Sequence, residues 1–156
     1  MSNFYLYNDR VIVNDQFGQP FPIYFTADSG KVYYRMKIDT ISNVKHPGVY
    51  LGIDDVGTRY FIHNHYHYGS AAIVPEYEFT KGRTIHLYRE KCSNSPLAVI
   101  RVALSKVSDG ERYNFLTYNC QTFANQACNN QRKSESAEKW LVGALALLFI
   151  GVIASK

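Results

Sequence analysis

The sequence predicts a mixed α+β domain, in which an antiparallel sheet packs on helices, followed by a C-terminal apolar helix. Up to residue 89, short aromatic and β-branched runs alternate with turn residues, which is typical of strands. Apolar residues then recur at helical spacing in two later segments. Residues 140–154 form an apolar run without a charged side chain. Strands followed by helices favour the α+β class.

The predicted strands are short, and aromatic residues, 15% of the chain, favour them. In chain order they are Phe4–Tyr7, Val11–Val13, Ile23–Phe25, Lys31–Ile38, Val49–Ile53, Arg59–Tyr68, Ala72–Val74 and Thr84–Arg89. The first two flank Asn8-Asp9-Arg10 and are expected to form a hairpin. Residues 16–22 are predicted to be a loop because they contain one glycine and two prolines.

Two helices are predicted after the strands. The first runs from Pro96 to Val107, with Ser95 as its N-cap and Gly110 closing it. The second covers residues 119–130, and its apolar stripe consists of Phe123, Ala124, Ala127 and Cys128.

Composition and charge exclude several classes of protein. With 46% apolar and 19% charged residues, the chain can bury a core and is not generally disordered. Its 17 basic and 13 acidic residues give a net charge of +4, which is too small and scattered to indicate nucleic-acid binding. A mild positive charge suits an anionic membrane surface. The N-terminus lacks a basic region followed by an apolar run, so no secretory signal is expected.

The three cysteines, Cys92, Cys120 and Cys128, predict no disulfide framework, because their number is odd and no CxxC pair occurs. A reducing compartment is therefore expected. The missing CxxC pair also disfavours a cysteine zinc site.

The apolar run at 140–154 is interpreted as a membrane anchor. As a helix it would be about 23 Å long, against about 30 Å for the hydrocarbon core. Flanking lysines can snorkel and the bilayer can thin. The alternative is a buried helix of the core, but a helix that is apolar all round needs complete burial, for which a domain of this size has little room.

Three histidines, His63, His65 and His67, alternate along one predicted strand and therefore share a face. Such a face is either a metal site or an exposed polar surface. Same-face neighbours on a strand lie about 6–7 Å apart, so three imidazoles converge on one ion only with distortion. No metal site is expected.

Cys120 stands where a loop is predicted to become a helix. The dipole and unpaired N–H groups of a helix N-terminus favour a thiolate, which is the nucleophilic form of cysteine. The same N–H groups could stabilise an oxyanion. A buried structural cysteine is the alternative. A nucleophilic thiol also needs a base, usually histidine, and spacing alone does not select one.

Two motifs resemble a known family. The run His46–Gly52 (HPGVYLG), followed by Tyr60–His63 (YFIH), is similar to the histidine box of the lecithin:retinol acyltransferase-like family. That family includes the H-Ras-like suppressor phospholipases/acyltransferases. Tyr118–Ala124 (YNCQTFA) resembles the Asn-Cys block of the same family. The similarity covers about residues 40–130 and extends in kind to the apolar tail. It implies a circularly permuted, NlpC-type papain-like fold.

The resemblance also implies roles for individual residues. Cys120 would be the nucleophile, His46 the general base, and His63 the residue that orients His46. His65 is an alternative orienting residue, since it shares the predicted face of His63. The chain departs from the family at Gln121-Thr122, where Glu-His is frequent, and at Pro47, where a large residue is common.

The implied activity is attack by Cys120 on a glycerophospholipid ester, giving an S-acyl enzyme and a lysolipid. The partners would be a phospholipid membrane and an acyl-lipid substrate, without metal, organic cofactor or nucleic acid. A cysteine peptidase or amidase of the same fold and a non-catalytic membrane adaptor are the alternatives. The predicted organisation is a β-rich extension at 1–40, a catalytic domain at 41–131, a linker at 132–139 and an anchor at 140–156. Lys and Arg before the apolar run favour a cytoplasmic catalytic domain.

Overall fold

The computed structural model describes residues 4–36, 45–88, 92–134, 138 and 141–142, and within these ranges eight strands form one sheet. The elements are β1 (Phe4–Leu6), β2 (Arg10–Asn14), β3 (Pro20–Tyr24), β4 (Val32–Met36), β5 (Lys45–Ile53), β6 (Arg59–His65), β7 (Ser70–Pro75), α1 (Glu76–Thr80), β8 (His86–Leu87), α2 (Pro96–Asp109) and α3 (Cys120–Asn129). All strand pairs are antiparallel. The predicted α+β class with an antiparallel sheet and helices is confirmed.

The long strand β5 organises the sheet. Along one edge it pairs first with β4 and then, at Ile53, with β3, while its other edge pairs with β6. The sheet continues from β6 to β7 and from β3 to β2 and β1. The strands of residues 4–36 thus belong to the same sheet as the histidine-bearing strands β5 and β6.

The two faces of β5 bury different clusters, because successive side chains alternate. Val49 and Leu51 face the main core, which α2 and α3 cover with Ile100, Leu104 and Phe123. Tyr50 faces the opposite way, into a smaller aromatic cluster with Phe61 and Phe79. Helix α1 closes this second cluster, because Phe79 is its buried residue.

The predicted helix boundaries agree closely with the structure. Ser95 caps α2 by accepting from the Ala98 N–H, Pro96 stands in the first turn, and Gly110 ends the helix in the left-handed conformation. Helix α3 begins at Cys120 with Asn119 as its N-cap. The predicted hairpin of β1 and β2 is also present.

Several strand predictions are wrong at their ends, and those of β3, β6 and β5 have clear consequences. β3 begins at Pro20, inside the predicted loop, and most of its second edge has no partner strand in the described residues, so its prolines remove few ladder bonds. β6 ends at His65 instead of Tyr68 because residues 66–69 form a turn. β5 begins at Lys45, so that His46 lies within the strand. Helix α1 was not predicted, since five residues are too few for a helical period.

The prediction of a chain without a disulfide is also wrong, because Cys92 and Cys128 form one. The bridge joins the segment before α2 to the C-terminal half of α3, with Cα atoms 4.8 Å apart. Two of the three cysteines therefore form a disulfide, and the third, Cys120, is a thiol. The argument from cysteine count to a reducing compartment fails with it.

Replacing Cys92 by alanine is expected to lower the free energy of unfolding by about 3 to 4 kcal/mol, because the bridge closes a long loop in the unfolded chain. The two cysteines are 36 positions apart. Urea unfolding of the oxidised wild type and of C92A measures the difference. A reducing agent should lower the free energy of unfolding of the wild type to that of the variant. Equal free energies of unfolding for the two proteins without reducing agent would contradict the bridge.

No helix in the described part of the chain is long and apolar enough to cross a membrane. The predicted anchor at 140–156 lies outside the described residues except for Leu141 and Val142, which are helical and exposed. The predicted linker is described only at residues 132–134 and at Glu138.

Candidate active site

His46 and His63 form a hydrogen-bonded pair between adjacent strands. His46 lies near the start of β5 and His63 on β6, and both are 1% exposed. The two side chains share the face that carries Tyr50 and Phe61, by strand alternation. His46 Nε2 is 2.7 Å from His63 Nδ1, a short hydrogen bond for two nitrogens. The structure therefore brings together the two histidines that the resemblance singled out.

His63 is suited to be the neutral partner of this pair. Burial first, and then the neighbouring His65, Arg35 and Lys81 charges, lower the pKa of His63 to about 3. In the tautomer that leaves His46 basic at Nδ1, His46 donates through Nε2 to His63 Nδ1, and His63 carries its proton on Nε2. His63 Nε2 is buried and has no hydrogen-bond partner among the described residues. The Nδ1 atom of a neutral His63 can thus accept the hydrogen bond that the Nε2–H of His46 donates, whether His46 is neutral or protonated.

Phe79 holds the histidine pair from the side of α1. Its ring centroid lies 6.0 Å from that of His46 and 5.6 Å from that of His63. This packing requires Gly48, because a Cβ at that position would come within 2.6 Å of the Phe79 ring. The glycine two residues after His46 in the histidine box therefore has a packing reason.

His65 lies beside the pair but makes a different hydrogen bond. Its ring centroid is 5.1 Å from that of His46 and 5.6 Å from that of His63. His65 Nδ1 accepts from the backbone N–H of His67, which stands in the turn after β6. The prediction that His67 continues the strand face is therefore wrong, since the strand ends at His65.

Cys120 is the first residue of α3 and is 3% exposed. Helix α3 packs against β5 and β6 on the face of the main core, opposite the face that carries the histidine pair. The Asn119 carboxamide oxygen accepts from the N–H groups of Gln121 and Thr122, at 2.9 and 3.1 Å. These two amides are therefore engaged by the cap. The positive end of the helix dipole at Cys120 still favours a negatively charged thiolate.

The segment before Cys120 is fixed by side-chain hydrogen bonds. Asn64 on β6 donates to the Tyr118 carbonyl at 3.1 Å, which ties this segment to the strand of His63. Asn119 donates to the Phe115 carbonyl at 2.7 Å and to Ser134 Oγ at 2.9 Å. Asn119 therefore serves as helix cap and as anchor of the preceding turn, which accounts for an asparagine before the cysteine.

Arg35 was not identified from the sequence, yet it lies opposite His46 in the β4–β5 register. It is 4% exposed, and Nε donates to the Phe79 carbonyl at 2.5 Å. Burial lowers the pKa of Arg35, whereas the nearby Cys120 charge raises it. No carboxylate of the described residues forms an ion pair with it. A buried guanidinium near a thiol favours the thiolate.

Tyr113 is a second neighbour of Cys120 that the sequence did not indicate. Burial, and then the Cys120 charge, raise the pKa of Tyr113 to about 12, so the phenol stays protonated at neutral pH. The Tyr113 N–H donates to the carbonyl of Gly69 in the turn after β6. Cys120 thus lies in electrostatic reach of a cation and a neutral phenol.

The described residues contain no group of three or more His, Cys, Asp or Glu side chains placed to hold a metal ion. Comparison of the chain with protein-family models, curated proteins and solved structures finds no match in any of the three.

Proposed function

We propose that this chain is a membrane-tethered thiol acyltransferase or phospholipase of the lecithin:retinol acyltransferase-like type, with a circularly permuted papain-like fold. The observation that carries the proposal is the buried 2.7 Å hydrogen bond between His46 and His63. It supplies a base and an orienting group in the chain order His, His, Cys. Cys120, the third residue in that order, begins helix α3, and its charge acts on the buried Arg35, which lies opposite His46 in the register of β4 and β5.

The first half of the proposed reaction forms a thioester. His46 Nδ1 takes the proton from Cys120 Sγ, and the thiolate attacks the carbonyl carbon of a lipid ester. The tetrahedral intermediate collapses by breaking the C–O bond to the leaving alcohol. That oxygen takes the proton from His46 and departs as the lysolipid. Throughout, His63 accepts the His46 Nε2 hydrogen bond, which stabilises the imidazolium and keeps its orientation.

The second half returns the enzyme to its starting state. Water, or an acceptor alcohol or amine, loses a proton to His46 and attacks the thioester carbonyl. The C–S bond breaks, the acyl group leaves as fatty acid, ester or amide, and Cys120 regains its proton. Neither half needs an oxidant, a metal or an organic cofactor.

A hydrogen-bonded turn with exposed apolar side chains, shortly before Cys120 in the chain, supports a lipid substrate. Asn114 and Tyr118 exchange backbone hydrogen bonds, and Asn114 Oδ1 accepts from the N–H groups of Leu116 and Thr117. Phe115 and Leu116 at this turn are 46% and 49% exposed. Apolar side chains held outward next to a reactive cysteine suit a site that works at a bilayer surface. The sequence-based anchor at 140–156 is part of the same proposal.

The proposal predicts lysolipid release from phosphatidylcholine vesicles by the full chain. Pretreatment with N-ethylmaleimide should abolish release, because Cys120 is the thiol outside the disulfide. Mass spectrometry of the lipids and of the alkylated protein measures both. If no lysolipid forms from phosphatidylcholine, phosphatidylethanolamine or phosphatidylserine while the thiol still reacts, the lipid activity is refuted and peptide substrates become the next test.

A further inference from the structure

The outer edge of β7 differs from the other ends of the sheet. In the described residues, the outermost strands on the other branches are β1 and β8, which are only three and two residues long. β7 has six residues, none of them charged, and pairs only with β6 there. Long edges without charges or bulges are uncommon in proteins, because they pair readily with another chain. This edge therefore needs a structural account.

A cavity of about 790 Å³ runs along this edge, and all six residues of β7 line it. Its opposite wall is a row of side chains, Phe4, Val13 and Phe21, which lie side by side in the register of β1, β2 and β3. The cavity is thus a slot between the outer edge of β7, which has no partner strand among the described residues, and strands β1 to β3. Six residues of extended chain would span about 20 Å along it.

The outward backbone N–H and C=O groups of β7 determine which class of ligand suits the slot. Residues 70–75 make no backbone hydrogen bond outside the ladder with β6, within the described part of the chain. An acyl chain in the slot would leave the outward N–H and C=O groups of β7 without partners. An extended peptide satisfies them by adding as a strand, and alternate side chains then contact the apolar wall.

Charge restricts the peptide further. Asp15 and Glu78 are the charged side chains among the residues that line the cavity, and both are acidic. They lie on different elements, Asp15 after β2 and Glu78 on α1. Two exposed aromatic side chains, Phe17 at 78% and Tyr77 at 70%, stand at the same rim. Acidic groups beside aromatic rings suit lysine or arginine side chains.

We propose that the outer edge of β7 is a docking site for an extended peptide segment of a protein partner, with apolar side chains alternating with basic ones. This site is separate from the proposed lipid chemistry. The residue that joins the two is Tyr68, which lines the cavity, donates to Glu78 and lies with its ring 5.6 Å from that of His63.

The probe for this proposal is a fluorescent hexapeptide of alternating valine and lysine, added to the full chain in neutral detergent at low ionic strength. Fluorescence polarisation measures binding, and hydrogen exchange locates it. We expect the peptide to bind and to slow exchange at the amides of β7. The double variant D15N/E78Q should weaken binding roughly tenfold, since two charge pairs are lost. Both substitutions keep the side-chain oxygens that accept hydrogen bonds from Phe17, Gln19 and Tyr68.

Three controls decide the outcome. D55N removes a carboxylate from the exposed β5–β6 turn and should leave binding unchanged. A valine–lysine peptide that is N-methylated at alternate residues keeps its charge but cannot pair, and it should not bind. Far-UV circular dichroism confirms that the variants are folded. Equal binding of the N-methylated peptide, equal binding of a valine–glutamate peptide, or β7 amides already protected by a second copy of the chain would each overturn the proposal.

Discussion

Replacing His46 by alanine is expected to lower kcat/KM for ester cleavage by about a thousandfold, because a positioned general base contributes roughly 10² to 10⁴ to the rate. The His46 side chain is buried and hydrogen-bonded to His63, and both features fix the position of the proposed base. Lysolipid release from vesicles measures the effect.

The matched control is H86A, which removes an exposed histidine from the same sheet and should leave kcat/KM within about twofold. Residues that act as a unit are non-additive, so the double variant H46A/C120A should be no slower than either single variant. A variant H46A that keeps more than a tenth of the wild-type rate would show that His46 is not the base.

Two substitutions of His63 should distinguish its role in orienting His46 from its role in packing. The variant H63N keeps an acceptor close to the position of Nδ1, whereas H63L keeps bulk but has no acceptor. We expect H63N to lose about tenfold in kcat/KM and H63L several hundredfold, because only the first can accept from His46 Nε2. If both variants lose the same factor, the 2.7 Å hydrogen bond has no part in catalysis.

His63 also makes the free energy of unfolding depend on pH. The pKa of His63 is about 3 in the folded state, against about 6.5 for an unfolded histidine. Between these values the unfolded chain binds the extra proton, so stability falls as the pH drops below 6.5, by up to about 1.4 kcal/mol per pH unit. Urea unfolding at pH 7.5 and pH 5 should therefore show a loss of roughly 2 kcal/mol that H63N removes. An unchanged slope in H63N would contradict a neutral His63.

Local sequence signals predicted the helices well. Ser95, Pro96 and Gly110 mark the ends of α2 by their intrinsic backbone and capping preferences, and Asn119 marks the start of α3. These signals depend on neighbours in the chain, so a single sequence contains them. They placed Cys120 at a helix N-terminus without knowledge of any tertiary contact.

The missed features depend on contacts between distant segments. Arg35 acquires its position from the register of β4 against β5, which local pattern does not specify. The disulfide depends on the approach of the segment before α2 to α3, so cysteine spacing could not reveal it. Phe79 covers the histidine pair from a helix too short to show a helical period.

The measurement that tests the central claim most directly is intact-mass spectrometry of the protein after brief incubation with phosphatidylcholine vesicles, followed by peptide mapping. The account predicts a mass increase equal to one fatty acyl group, carried as a hydroxylamine-sensitive thioester on Cys120 and absent in C120A. Lysolipid should appear in the same samples and vanish in the same variant. Lysolipid release that persists in C120A, or an acyl group on another residue, would contradict catalysis by Cys120.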